Sequence, residues 1–393
     1  MLAADMPLEG LRVFEFTHMV MGPTVGLILA DLGAEVTRVE PLGGDHTRSL
    51  QGSGAGYFPM YNRNKRSICI DLKNPRGVAV ATRLAETADV VIENFRPGTL
   101  TRLGLGYEVL KAKNPRLLYC SAKGFLSGPF ENRTALDEVA QMMGGLAYMT
   151  GPPGQPLRAG ASVIDVTGGM FGVIGILAAL ERRHRTGEGA YIACSLFETT
   201  SFLVGQHMAQ MAVTGTAAAP MPVRISAWAI YDVFQLAGDS QLFVAVVSDA
   251  QWEAFCREFA LTEFADDPSL RTNNDRVAAR ERILPKIREV LSVLSREALL
   301  CRLEAIGVPA SIIARPEDLF EDEHLNARGG LVPVTLPDGR VVKLPALPME
   351  MDGERFGVRR SPARAGEDSL AALREIGMSG GEIESLLQAN VVA

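Results

Sequence analysis

An apolar strand pattern, Leu11-Arg-Val-Phe-Glu-Phe16, runs through a short loop into a helix start at Pro23. Gly33 stands where that helix would end, and Ala34-Glu-Val-Thr-Arg-Val-Glu40 returns as a second strand. Pro just inside a helix start and Gly just past its end are helix punctuation. Parallel strands need a crossover long enough to hold a helix, so this β-α-β unit commits the chain to a parallel sheet. Further strands read at 88–93, 116–121 and 191–195, with a helix beginning near Pro75. Strands alternating with helical patterns imply a mostly parallel, doubly wound α/β sheet of Rossmann-like kind.

Helical patterns also span 134–147, 162–185 and 196–213. Small residues and prolines mark a linker at 215–222. Two strands, 229–235 and 242–247, with helices at 249–259, 278–294 and 296–306, make a second α/β unit. A hairpin follows (331–336 and 340–344, turning at Pro337-Asp-Gly339), then a polar tail ending in a helix. At 393 residues, two domains are expected.

A net charge of −7 with no basic stripe argues against a nucleic-acid partner. Five scattered cysteines, never in C-x-x-C spacing, argue against a disulfide framework or zinc site and suit a reducing, cytoplasmic setting. The first residues show no basic start followed by an apolar stretch, so no secretory signal is expected. The longest apolar run, near 168–180, reads as a buried core helix rather than a membrane span. The five histidines show no metal spacing, and neither G-x-S-x-G nor G-x-G-x-x-G is present.

Asp165 is the residue that draws chemistry. It opens the helical run Ile164-Asp-Val-Thr-Gly-Gly169, a lone carboxylate with a glycine pair three residues on. Such a carboxylate serves either as an N-cap or as an accessible nucleophile near fixed amide dipoles. The turn Phe16-Thr-His-Met-Val-Met-Gly-Pro23 places a loop at a helix start, where anions can bind. Asn62-Arg-Asn-Lys-Arg66 reads either as a phosphate-recognition turn or as a solvated charged one. Glu93-Asn-Phe-Arg-Pro-Gly98 follows a buried strand, where an Asn amide can meet an adenine edge and Phe or Arg can stack on it. Asp137 and Glu138 open a helix as paired carboxylates, for the site or for the helix dipole.

Several spaced motifs in one order carry a resemblance. They are Leu8-Glu-Gly-Leu-Arg-Val13, Gly22-Pro23, Leu32-Gly-Ala-Glu-Val36, Asn64-Lys-Arg-Ser67, Glu93 to Gly98 and Arg182-Arg-His-Arg-Thr-Gly-Glu-Gly189. The chain resembles the family III CoA transferases, the CaiB/BaiF-like group that includes formyl-CoA and carnitine-CoA transferases and the alpha-methylacyl-CoA racemases. The resemblance implies an enzyme whose nucleophile is Asp165, forming a mixed anhydride and then an aspartyl-CoA thioester. Amides near Gly168 and Gly169 become candidates to stabilise the oxyanions. CoA contacts are implied at Val20, Met21, Leu72, Lys73, Asn94, Phe95, Arg96, Arg102 and Lys123. Asp137 matches an active-site glutamate of the formyl-CoA enzymes.

Two departures matter. Leu136 stands where the racemases carry a histidine base, which disfavours racemisation. Pro222-Val-Arg224-Ile-Ser-Ala-Trp228 replaces the glycine run of the formyl-CoA enzymes, which disfavours oxalate and formate. Arg224 is then a candidate carboxylate clamp, and a dicarboxylate of succinate, itaconate, mesaconate or citramalate type the expected acceptor. The alternatives are an epimerase or a CoA-binding protein without turnover. The resemblance also implies an interlocked homodimer, no permanently bound cofactor and no metal, with acyl-CoA as substrate. The implied domains are 1–214 (large, N-terminal part), 223–325 (small) and 326–393 (returning to the large domain).

Overall fold

Six strands, β1 (Arg12–Phe16), β2 (Glu35–Glu40), β3 (Lys65–Cys69), β4 (Val90–Glu93), β5 (Leu118–Lys123) and β6 (Ala190–Ser195), form one sheet in the order β3-β2-β1-β4-β5-β6. Every neighbouring pair is parallel. The computed structural model describes residues 6–224 and 226–393. They divide into two units: one runs to Pro222 and resumes at Glu323–Ala393, the other is Val223–Asp322.

Both faces of the sheet are covered, as β-α-β crossovers require. On one face the first helix, Met21–Asp31, packs with the long helix Val163–Thr186. Val25 and Leu29 join Ile164, Val173 and Ile176 in a single buried cluster over Val13, Ile92 and Leu118. The two helices approach closely because Gly169 lacks a side chain. A Cβ there would lie 2.8 Å from Thr24 Cβ and 2.9 Å from the Met21 carbonyl oxygen. By length and composition the 24-residue long helix could also cross a membrane, more than its apolar run suggested, but its core-facing residues sit on the sheet.

On the other face lie the helix Pro75–Glu86 and two helices from the chain's last segment, Ser369–Glu375 and Gly380–Gln388. Val80, Leu84, Leu373, Ile383 and Leu386 bury there against Phe14, Ile68 and Val91. Polar contacts stitch that segment to the outer strand. Asp368 accepts from the Ser67 amide at 2.9 Å, and Asn64 Oδ1 accepts from the amides of Arg359 (2.7 Å) and Arg360 (2.9 Å). The Asp71 amide donates to the Val391 carbonyl at 2.9 Å.

The polar run at Asn62 to Arg66 is neither a phosphate turn nor a solvated one. Arg63 and Lys65 are buried, Arg63 paired with Asp31 and Lys65 with Glu15. Lys65 Nζ also donates to the Pro23 carbonyl at 2.8 Å, pinning the start of the first helix. Burial lowers the Lys65 pKa to about 8, with Glu15 opposing the shift.

Two helical expectations divide. The 134–147 pattern breaks at Gly145, whose φ of +83° ends one helix (Asp137–Met143) and starts another (Leu146–Thr150). The 196–213 pattern becomes Leu196–Leu203 and Gly205–Thr214.

In the second unit β7 (Ile230–Gln235), β8 (Gln241–Val246) and β9 (Ala310–Ile312) form an antiparallel sheet. Helices Asp249–Glu258 and Arg280–Ser292 bury Phe255 and Ile287 against Phe234 and Val244. Strand β9 was not anticipated; three residues give no readable alternation. Where the chain returns to the first unit, the expected hairpin is present as β10 (Leu331–Thr335) and β11 (Val341–Pro345).

Candidate active site

The strand order reverses between β1 and β4, and the loops leaving their carboxyl ends diverge there. Open α/β sheets bind ligands in that crevice. Here a cleft of about 330 Å³ is lined by His18 to Met21 after β1, Asn94 to Pro97 after β4, and Lys123 with the Arg133–Glu138 segment after β5. Ser162 and Asp165, from the start of the long helix, and Tyr57 complete it.

Asn94 builds the cleft's edge. Its Oδ1 accepts from the His18 amide at 2.9 Å, and its Nδ2 donates to the His18 carbonyl at 2.8 Å. Both ends of the side-chain amide are spent on the first turn, leaving it poorly placed to read an adenine edge. The fit is tight, since a Cβ on Gly22 would lie 2.8 Å from Asn94 Cγ. Phe95 stacks on the His18 ring, with centroids 5.4 Å apart and planes 21° from parallel. Burial lowers the His18 pKa, so its ring is neutral at pH 7.

Asp165 occupies the first turn of the long helix, while Ser162 holds the cap position and makes no capping hydrogen bond with its side chain. The cap comes from elsewhere. Asp137 Oδ2 accepts from the amides of Ile164 (2.9 Å) and Asp165 (3.0 Å). An N-cap reading of Asp165 therefore fails, because those orphan amides already have a carboxylate. Asp165 itself is half-buried and makes no side-chain hydrogen bond among the described residues. Burial, reinforced by the charges of Asp137 and Glu138, pushes its pKa up to about 7.

Gly168 and Gly169 correct an expectation. They lie beyond the first helical turn, where each amide bonds the carbonyl four residues back. Their role is close packing: a Cβ on Gly168 would lie 2.7 Å from the Met21 side chain. Oxyanion donors must be sought elsewhere.

Val20, Met21, Asn94, Phe95, Arg96, Lys123, Asp137 and Asp165 thus line one cleft. Leu72, Lys73 and Arg102 do not. Leu72 and Lys73 follow β3, the outermost strand, and Arg102 is exposed at the end of a short helix, Thr99–Arg102. Arg224 belongs to the second unit. Sequence reading did not pick out Tyr57, Arg133 or Gln141. Tyr57 closes a glycine-rich loop with no periodicity, so nothing local announces it. Arg96, Lys123 and Arg133 are the cations of the cleft, and none forms an ion pair among the described residues. Lys123 lies over the Tyr191 ring (5.3 Å to centroid) and Arg133 over Phe130 (4.6 Å).

A parallel sheet in this order, with a raised carboxyl pKa in a cation-bearing crevice, suits acyl transfer on an anionic substrate. Residues 8–369 match the family model described as CoA-transferase family III, and the chain belongs to that family. It is 35% identical to a succinate–glutarate CoA-transferase of Agrobacterium fabrum, over 94% of this chain and 96% of that one. It is also 35% identical to an acetyl-CoA:oxalate CoA-transferase of Acetobacter aceti, over 94% and 95%. A crystal structure of a CAIB/BAIF family protein from Brucella suis superposes with a TM-score of 0.83 at 34% identity, covering 95% of this chain and all (100%) of that one. The protein is an enzyme, a CoA transferase using CoA thioesters and carboxylates.

Proposed function

We propose that the enzyme moves CoA from a small acyl-CoA to a dicarboxylic acid through covalent intermediates on Asp165. The Asp165 carboxylate attacks the thioester carbon, forming a mixed anhydride and expelling CoA thiolate. The thiolate then attacks the aspartyl carbonyl, giving an aspartyl-CoA thioester and freeing the donor's acid as its carboxylate. The acceptor carboxylate attacks that thioester, and the returning thiolate attacks the acceptor carbonyl, releasing the new acyl-CoA and Asp165. Dividing one exchange into four acyl shifts is the logic of covalent catalysis.

One observation carries this reading: a half-buried carboxyl in the cleft that binds no side chain and caps no helix, held by a neighbour that does. A pKa of about 7 leaves a large ionised fraction at neutral pH and a nucleophile more basic than an ordinary aspartate. The test is trapping. Protein given acyl-CoA and hydroxylamine should gain a hydroxamate at Asp165 by mass spectrometry, and none at Asp165 during turnover would refute the mechanism.

The acceptor assignment rests on the unpaired cations of the cleft and on a glutarate-named relative; Arg224 is the proposed clamp. The replaced glycine run weighs against oxalate. Overall likeness does not, because the oxalate-named relative is equally similar. Leu136 lines the cleft and carries no proton, which counts against racemisation. We place the CoA arm along Val20, Met21 and Phe95, with Arg96 and Lys123 toward its anionic groups. Lys73 and Arg102, exposed at the same carboxyl edge of the sheet, would meet the rest of it.

The active form we propose is an interlocked homodimer. Met170, Ile174 and Leu177 leave an apolar stripe exposed on the long helix, and Phe202, Met208 and Met211 extend it on the following helices. Such patches mark association surfaces.

A further inference from the structure

The capping carboxylate has its own support. Gln141, one turn along the short helix from Asp137, is fully buried. Its Nε2 donates to Asp137 Oδ1, and its Oε1 accepts from the Ala159 amide at 2.8 Å. Asp137 thus accepts three hydrogen bonds, one from Gln141 and two from the long helix, and donates none. The side-chain amide joins the short helix, the connection before the long helix, and the turn that bears Asp165.

We infer that Gln141 is a positioning residue for the transfer reaction, acting on Asp165 through the Asp137 carboxylate. This rests on the reading of Asp165 as nucleophile. Without its Nε2 donor, Asp137 Oδ1 would face a buried space with no partner. The carboxylate would rotate away, and the two helix amides would lose their acceptor. Both changes act on Asp165 in one sense. The fixed negative neighbour is displaced and two amide dipoles are uncovered, so its ionised form becomes easier to reach. The other groups facing Asp165 remain: Glu138 with its partner Arg158, Tyr57 and Tyr61 at the two ends of a short helix, and His18, Lys123 and Arg133 lining the cleft.

Gln141→Met keeps the length and apolar fit of the side chain but makes neither hydrogen bond. The readout is carbodiimide labelling of Asp165 against pH in resting protein, since that reagent takes the protonated acid. Labelling of the wild type should fall with a midpoint near 7. In Gln141→Met the midpoint should move down by on the order of one unit. The kcat should drop about tenfold, with the KM for acyl-CoA changed much less. Asp137→Asn, which keeps an acceptor oxygen but no charge, should shift the midpoint in the same direction and serves if the Met variant does not fold. An unmoved midpoint in either folded variant overturns the assignment. Labelling needs no turnover, so this failure is separable from that of the covalent mechanism, which Asp165→Asn with normal activity would show.

Discussion

Asp137 Oδ2 lies 3.0 Å from the backbone nitrogen of Asp165, so one aspartate caps the helix and leaves the other unbound. The division of labour makes a sharp prediction. Asp165→Asn should lose essentially all transfer while remaining folded, because an amide forms no anhydride and the cap is untouched. A folded Asn variant with near-normal turnover in a thioester-exchange assay would defeat the mechanism.

Stability should respond to pH in a definite sense. The folded pKa of Asp165 is raised from 3.8 to about 7, so folding favours its protonated form. That contribution is present below about pH 4 and lost as pH rises toward 7. Asp165→Asn should therefore melt higher than wild type at pH 8, by an amount on the order of 1–3 kcal/mol, with the gap closing near pH 4. Thermal melts at both pH values check this, and a wild type more stable at pH 8 would contradict the raised pKa.

Much of the site was legible because it follows the chain's punctuation. The motif Glu93 to Gly98 ends a buried strand, and Asp165 opens the long helix; the glycine pair after it, read as a source of oxyanion amides, instead lets that helix pack closely on the first. What the sequence concealed was partnership. Lys65 and Arg63 look like surface cations, yet they are buried against Glu15 and Asp31, more than 30 residues away in sequence. The Asn94 amide looks free for a ligand but is committed to His18. Helix 134–147 reads as continuous because its apolar spacing survives Gly144 and Gly145, the second of which turns the backbone left-handed. Local patterns report periodicity and propensity; they carry no record of which distant polar group answers which.

Cation variants should separate CoA binding from acceptor choice. Arg96→Ala and Lys73→Ala should each weaken CoA binding several-fold in calorimetry with little loss of stability, since exposed charges contribute little to folding. Unchanged affinity in both would remove them from the CoA path.

Arg224→Ala and Arg133→Ala should raise the KM for glutarate or succinate by about tenfold or more, and that for a monocarboxylate much less, because a guanidinium holds a second carboxylate in bidentate fashion. Equal effects on both acid classes would leave each arginine structural.

The apolar stripe through Met170, Ile174 and Leu177 predicts a dimer that persists at low concentration. Interlocked chains should exchange subunits only on unfolding. Rapid hybrid formation between tagged and untagged protein, or a monomer in light scattering, would contradict this.

The stitching of residues 359–393 onto the outer strand also bears on how the chain is made. Asn64 waits for Arg359 and Arg360, Ser67 for Asp368, and Asp71 for Val391. On the ribosome, one face of the first sheet stays half-covered, its Phe14 and Ile68 with the helix Pro75–Glu86 but without Leu373 and Ile383, while the intervening hundred residues of Val223–Asp322 emerge. The second unit has all its strands and helices in hand before the first can close. Synthesis thus imposes an order on maturation, with the later-starting unit completed first and the catalytic one sealed last.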